Sequence, residues 1–402
     1  MGKDNSGGGV GPRVAEARKL AGLTQRQLAA RAHVSLGIVR KVEQGEAPAS
    51  PSFIAATAQA LHLLVTDLTK PDSFAAATGR YDTGQALVPE LERAIIEFED
   101  PLITTRPVSP EDTSDLLNKV VAAGRLSHYA EALTVLPDLL RNLHALTTTV
   151  SGQADREHVY RLLAQAYQCA MFAAYKMGNV SLSSWAAERM GWAGARSGDP
   201  LWSAMGEYCR AQTMMFSGIF RSSEAVLNRA STELQSSSDT RAIEIRGAMH
   251  LSSAINAARL SRAGDADMHL AEARDLARHA LPGDNFDTSF SMANVEIHSV
   301  AAAVEMSDGQ TALERGADLD LKGKLYTSRI GHYHIDLARA WFLHGDYTRS
   351  LNEIQQARSI APQQTRYHPQ VHETIRAIAR VRRRSEPVTR LAVWAGLRLN
   401  DM

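Results

Sequence analysis

From residue 115 onward the chain repeats one device: an apolar-faced helical segment, a turn marked by glycine, and a second such segment. The turns fall at Gly124, Gly178, Gly218, Gly264, Gly309 and Gly345, separated by 54, 40, 46, 45 and 36 residues. Apolar residues between them recur at three and four spacings, the period of an amphipathic helix. A single hairpin of two such helices cannot bury its own apolar face, so units of this length stack into an array. No run of four to eight alternating β-branched residues is bounded by hairpin turns. The expected fold class is all-α, and the abundant alanine favours helix everywhere.

At 402 residues the chain has room for about two to three domains, or for one domain and a repeat array. Two cysteines, Cys169 and Cys209, exclude a disulfide framework and fit a reducing, cytoplasmic setting. No apolar stretch is long enough to span a membrane, so no membrane partner is expected. The glycine-rich start lacks the apolar core of a secretory signal. It matches a myristoylation pattern through Gly2 and Ser6, but residues 1–11 read better as a disordered terminus. The chain carries 44 basic and 44 acidic residues. Residues 1–70 hold nine Lys or Arg against five Asp or Glu, so a basic front precedes a slightly acidic body. Any nucleic-acid contact therefore belongs at the front.

Residues 12–70 read as five short helices. Pro12 suits a first helical position, Val14, Ala17 and Leu20 line one face, and Gly22 ends the helix. Thr24 and Gln27 have the spacing of a capping box. Ser35 caps a third helix whose Ile38 and Val42 face the core before Gly45 stops it. Ser50-Pro51 opens a fourth helix with Ile54, Ala58 and Leu61, and Val65 and Leu68 sit on a fifth. Residues 71–114, punctuated by prolines and glycines, read as a connector with one helix near 87–99.

The run Leu23-Thr24-Gln25, Leu28-Ala29, Val34-Ser35, Ile38, Val42-Glu43-Gln44-Gly45 and Pro51-Ser52 resembles the xenobiotic-response-element (XRE) family of helix-turn-helix regulators. The resemblance implies that the helix at 36–44 enters the major groove of double-stranded DNA. Gln25, Arg26 and Ser35 then meet phosphates, and Leu36, Gly37, Arg40 and Lys41 face the bases or backbone. Leu36 and Gly37 depart from the polar amides that better-known repressors place there, so direct readout leans on Arg40, Lys41 and DNA shape. His33 stands where the family often has glycine. Arg18 and Lys19 read as a solvated face. The resemblance also implies a homodimer.

The last unit, with Ala338, Trp341, Gly345-Asp346-Tyr347, Ala357 and Pro362, looks like a tetratricopeptide repeat. The resemblance extends in degenerate form over about 115–384, within a repeat region of 115–402. It implies an α-solenoid whose first helices line a groove. Inner positions carried across are Gln165, Gln168, Phe172, Tyr175 and Lys176, then Met205, Tyr208, Gln212 and Met215. Ser261 and Arg262, Glu296 and Ser299, and His332, Arg339 and Phe342 follow. The candidate effector contacts are Gln168, Tyr175, Tyr208, Gln212, Arg262 and Arg339. The combination of both halves is similar to bacterial peptide-pheromone-responding regulators, which implies a peptide or small-molecule effector.

Other constellations are weak. His368 and His372 are one turn apart but lack a third ligand, so no metal site is expected. No phosphate-binding loop, nucleophile elbow or zinc-protease motif occurs, and neither enzyme activity nor a cofactor is expected. Seven arginines between 376 and 398 read as the solvated face of the last helix. The apolar end, Val388 to Leu397, can cap the array or seal a dimer, with the dimer preferred. The expected function is a dimeric, DNA-binding transcriptional regulator whose repeat half senses a peptide, small molecule or protein partner. The alternative is a protein-interaction scaffold in which DNA binding is minor.

Overall fold

The structure, a computed structural model, describes residues 9–69, 83–99, 108–317, 319–321, 323–382 and 385–397. The residues described form helices and turns, with no strand among them. The expected all-α class holds. The N-terminal myristoylation pattern, most of the expected disordered terminus and much of the connector lie outside the described residues.

Five helices make the front bundle: α1 (Val10–Leu20), α2 (Gln25–Arg31), α3 (Leu36–Gln44), α4 (Pro51–Ala60) and α5 (Val65–Thr69). Their starts and stops are written locally. Thr24 and Gln27 form the reciprocal capping box, and the Ser35 and Ser50 hydroxyls accept from the Ile38 and Phe53 amides. Gly45 ends α3 at φ +70°, a left-handed conformation that a side chain would strain. Val14, Leu28, Val39, Val42, Phe53, Ile54 and Leu68 form the core.

Three expectations need correction here. The chain is already helical and buried at Val10, so the flexible terminus does not reach residue 11 and Pro12 is the third helical residue, not the first. Leu20, the last residue of α1, is 84% exposed and does not join the core face expected for it. Val39 takes the fully buried position in α3, while Ile38 only packs at the edge of the core.

The connector helix, α6 (Thr83–Glu97), starts earlier than its apolar run suggested. Leu91 and Ile95 are fully buried in the main core of the array. Its carboxylates Glu90 and Glu97 clamp Arg141 at 2.7 and 2.6 Å.

Six antiparallel hairpins follow. They are α7 (Pro110–Arg125) with α8 (Tyr129–Thr149), α9 (Gln153–Lys176) with α10 (Val180–Gly194), and α11 (Pro200–Phe216) with α12 (Phe220–Leu234). Then come α13 (Ala242–Arg259) with α14 (Ala263–His279), α15 (Met292–Glu305) with α16 (Gly309–Gly316), and α17 (Thr327–His344) with α18 (Tyr347–Ile360). Each hairpin pivots on one left-handed residue, and only half of these are glycine: Ser127, Gly178, Gly218, Ser261, Ser307 and Gly345. Gly124, Gly264 and Gly309 mark the right turns but lie within helices.

The array closes with α19 (Pro362–Tyr367), α20 (Pro369–Val381) and α21 (Glu386–Trp394). Val388, Leu391, Ala392 and Leu397 are buried against Ile375 and Ile378, so the apolar end caps the array rather than forming the expected dimer seal. The expected solvated arginine face is also corrected. Arg376 is buried and donates to Glu373 at 3.0 Å, and the Arg380 guanidinium lies against Gly45 of the front bundle. Arg383, Arg384 and Arg398 lie outside the described residues.

The front bundle sits on the array at two separated places. At the far end, the Val10 amide donates to Glu373 Oε1 at 3.3 Å and Gln370 Nε2 donates to the Ala49 carbonyl at 3.2 Å. In the middle, Gly218 packs so tightly that a Cβ there would stand 2.6 Å from the Ala55 Cβ and 3.1 Å from Val65. Helices α4 and α5 thereby lie across the concave side of the array.

Candidate functional site

The first candidate surface is the exposed side of α2 and α3. His33, in the turn between them, holds φ +53°, which costs a side chain roughly 1–2 kcal/mol relative to glycine. The turn sets α3 with Arg40 and Lys41 exposed one turn beyond the Ser35 cap. Arg26, Ser35 and Gly37 are exposed beside them, and Leu36 is half-buried. Arg26, Arg40 and Lys41 make no ion pair among the described residues, which leaves their charge free for phosphates.

Gln25 differs: its side-chain amide donates to Glu43 Oε2 at 2.8 Å. The same carboxylate receives Arg18 Nε at 2.7 Å and Arg18 Nη2 at 3.0 Å. Arg18 is therefore a structural strut between α1 and α3, not the solvated cation expected, while Lys19 is exposed. The docking contacts to the array use α1, α4, α5 and the end of α3, so the α2–α3 face remains open.

The second candidate is a cavity of about 290 Å³ on the concave side of the array. Helices α9, α11, α13, α15 and α17 supply its walls. Pro51, Ile54, Val65 and Thr69 of the front bundle supply another. Tyr175 and Phe216 stack face to face with centroids 3.5 Å apart on one wall. Tyr175, Tyr208, Gln212 and Arg339 of the six candidate contacts line it.

Gln168 and Arg262 do not. Gln168 is buried and donates to the Phe286 carbonyl at 2.7 Å, and Arg262 pairs with Glu224 and Asp265 outside the groove. The inner face of α15 presents Ile297, His298, Ala301 and Glu305, whereas Glu296 turns away to bind Arg274 at 2.9 Å. Glu296 and Ser299 therefore lie on nearly the opposite side of the helix, about half a turn at roughly 100° per residue.

Several wall residues were not foreseen. Arg329 and Asp336 fall at three and four spacings from the expected His332 and Arg339 on α17, so their shared face was legible as helix periodicity. Arg259 on α13 was hidden by choosing Ser261 and Arg262 as the inner pair. Asp287 and Thr288 come from the loop between α14 and α15. Glu244 anchors that loop by accepting from the Asn285 and Phe286 amides, both at 3.0 Å, and from Thr288 Oγ1 at 3.0 Å.

Burial governs the chemistry of the cavity. It pushes the Lys176 ammonium down to about 7, with Arg329 adding to the effect and Asp336 opposing it. It raises the Asp336 carboxyl to about 6 although Arg339 opposes it. Burial also tends to raise Glu305, but Arg339 and Arg259 together outweigh it and hold this carboxyl below its usual range. His298 is lowered to about 4, and His332 and His368 fall well below the usual range, first by burial. His372 instead bonds the Arg366 carbonyl through Nε2 at 2.6 Å, so the two histidines of the i, i+4 pair do not converge.

A capped, turn-linked helix pair with an open cationic face defines a helix-turn-helix domain. In agreement, the model of a helix-turn-helix domain family matches residues 10–69. No curated protein matches the chain. Among solved structures, the chain is similar to Bacillus thuringiensis PlcR in complex with the peptide PapR7 and DNA. The identity is 12%, with 90% of this chain and 98% of that chain covered and a TM-score of 0.30. That likeness is too low to assign the array a ligand.

Proposed function

We propose that the protein is a DNA-binding transcriptional regulator that acts in the cytoplasm as a homodimer. Residues up to about 70 form the DNA-binding unit, and the array from about 115 onward is the sensing and dimerising unit. Arg26, Ser35, Arg40 and Lys41 contact the backbone and bases of an operator, with Leu36 and Gly37 against the groove floor. Gln25 acts at one remove, by fixing Glu43 and Arg18 beneath the α2–α3 pair. The observation that carries the reading is the open, unpaired cationic face on the side of the bundle away from the array.

The sensing half takes an effector in the cavity, with Tyr175, Tyr208, Gln212 and Arg339 among its walls. Because α4 and α5 form part of that wall, an effector with different affinities for the docked and undocked arrangements shifts the balance between them. This role is one of recognition, not catalysis.

The test is binding of the purified protein to the DNA upstream of its own gene, beside a shuffled duplex of equal length, across a salt series. Tight binding to the first, lost with Arg40→Ala and Lys41→Ala together, is the expected result. Weak binding to both, with a shallow salt slope, would favour the interaction scaffold. The half-buried Leu36 and bare Gly37, which offer no side-chain hydrogen bond to a base, are the observation on that side.

A further inference from the structure

The cavity wall carries two cations that make no direct ion pair among the described residues. Arg339 donates to Glu305 at 3.0 Å and to Asp336 at 3.3 Å. Arg259 lies 3.4 Å from Glu305, and Arg125 donates to Asp287 at 2.6 Å. Every carboxylate of the wall is thereby engaged. Lys176 and Arg329 stand apart from these pairs. Lys176 makes no hydrogen bond or ion pair among the described residues, and Arg329 reaches only the Thr288 carbonyl, at 3.4 Å. Both are wall residues, and the field of Arg329 reaches the Lys176 ammonium.

An ammonium withdrawn from water with no ion-pair partner, and only the field of Asp336 to offset that of Arg329, is unfavourable, and a bound anion relieves it through charge-assisted hydrogen bonds. Lys176 follows directly on Tyr175, whose ring stacks on Phe216, and Phe172 and Met215 extend the same apolar wall. The cavity volume of about 290 Å³ accommodates a small organic molecule.

We infer that this cavity binds one small organic anion, a carboxylate on an apolar body, with Lys176 and Arg329 holding the carboxylate and the Tyr175–Phe216 wall covering the body. The inference rests on reading the array as the sensing half. Ile54 and Val65 of the front bundle belong to the same wall, so the ligand contacts both halves of the molecule.

The test uses the full-length protein and isothermal titration calorimetry with three probes of equal length: octanoate, 1-octanol and octylammonium. One octanoate per chain is expected, with octanol at least about tenfold weaker and octylammonium not bound. Lys176→Met and Arg329→Met should each weaken octanoate at least about tenfold and leave octanol unchanged. Lys119→Met, an exposed control, should bind octanoate as the parent does. Circular dichroism checks that each variant is folded. No octanoate binding, equal binding of octanoate and octanol, or indifference to both substitutions would each overturn the inference. DNA binding of the same samples separates the two readings. Absent octanoate binding with intact DNA binding removes the ligand and keeps the regulator. Octanoate binding without any effect on DNA affinity keeps the ligand and removes the coupling.

Discussion

Arg40 and Lys41 are exposed cations held one turn past a capped helix start, and their value to binding is electrostatic. If both meet phosphates, replacing them with alanine should flatten the log–log salt dependence of DNA binding by about 1.8, at roughly 0.9 per contact. Glu43 works from below. It accepts from both Arg18 and the Gln25 amide, so Glu43→Ala should destabilise the front bundle by roughly 3 kcal/mol, the scale for breaking a buried ion pair. Urea denaturation followed on the front-bundle transition checks this. Lys176 has the opposite sign. Its ammonium is disfavoured in the fold, so Lys176→Met should raise the melting temperature of the ligand-free protein, by roughly 2–4 °C per kcal/mol recovered. The pH dependence follows from a folded value near 7 against 10.5 in the unfolded chain. Below about 7 both states carry the proton and the full burial penalty applies. Between 7 and 10.5 the unfolded chain binds more protons, so the wild type gains stability as pH rises. The advantage of Lys176→Met should therefore be largest below pH 7 and fade towards pH 10.5, as melting curves across that range will show.

Among the elements, the α2–α3 turn was the most legible in the sequence. Thr24, Gln27, Ser35 and Gly45 set its boundaries by contacts no more than five residues long. His33 is the one residue at odds with its backbone, and His33→Gly should stabilise the bundle by roughly 1 kcal/mol in denaturant titrations. The hairpins of the array were legible in number and place but not in detail. Serine replaces glycine at three of the left-handed pivots, Ser127, Ser261 and Ser307, so glycine alone mislocated them by a few residues. The inner faces were harder still. On α9, α11 and α17 the polar and aromatic pattern named several true wall residues. On α15 the expected Glu296 and Ser299 fall on the face away from His298 and Glu305, because an alanine-rich helix gives little contrast between its faces.

The arrangement of the whole molecule turns on one close approach. Gly218 shares its left-handed conformation with Gly178, but only Gly218 touches the front bundle; a Cβ at Gly178 would meet nothing within 4 Å. Gly218→Ala and Gly178→Ala therefore carry the same backbone strain and differ in the contact with Ala55. The first should loosen the docked bundle and increase the radius of gyration in small-angle scattering; the second should leave it unchanged. Equal behaviour of the two variants would mean that the Gly218 contact does not hold the halves together. The C-terminal cap matters at the same scale. Arg376 and Arg380, read as solvated from their spacing, instead face the front bundle, because α20 is sandwiched between it and α21.

What depends on near neighbours could be read along the chain: the all-helical class, the capped helix-turn-helix, the number of hairpins and their order. Those features rest on hydrogen bonds and apolar spacings within a few residues, which a linear reading can follow. The packing of distant segments set which face of each inner helix meets the cavity, that α4 and α5 lie across it, and that Lys176 ends there without an ion-pair partner. These depend on residues more than a hundred positions apart, such as Val10 with Glu373 and Ala55 with Gly218. Such contacts form only when the curvature of the stacked hairpins brings them together, and no local spacing encodes that curvature.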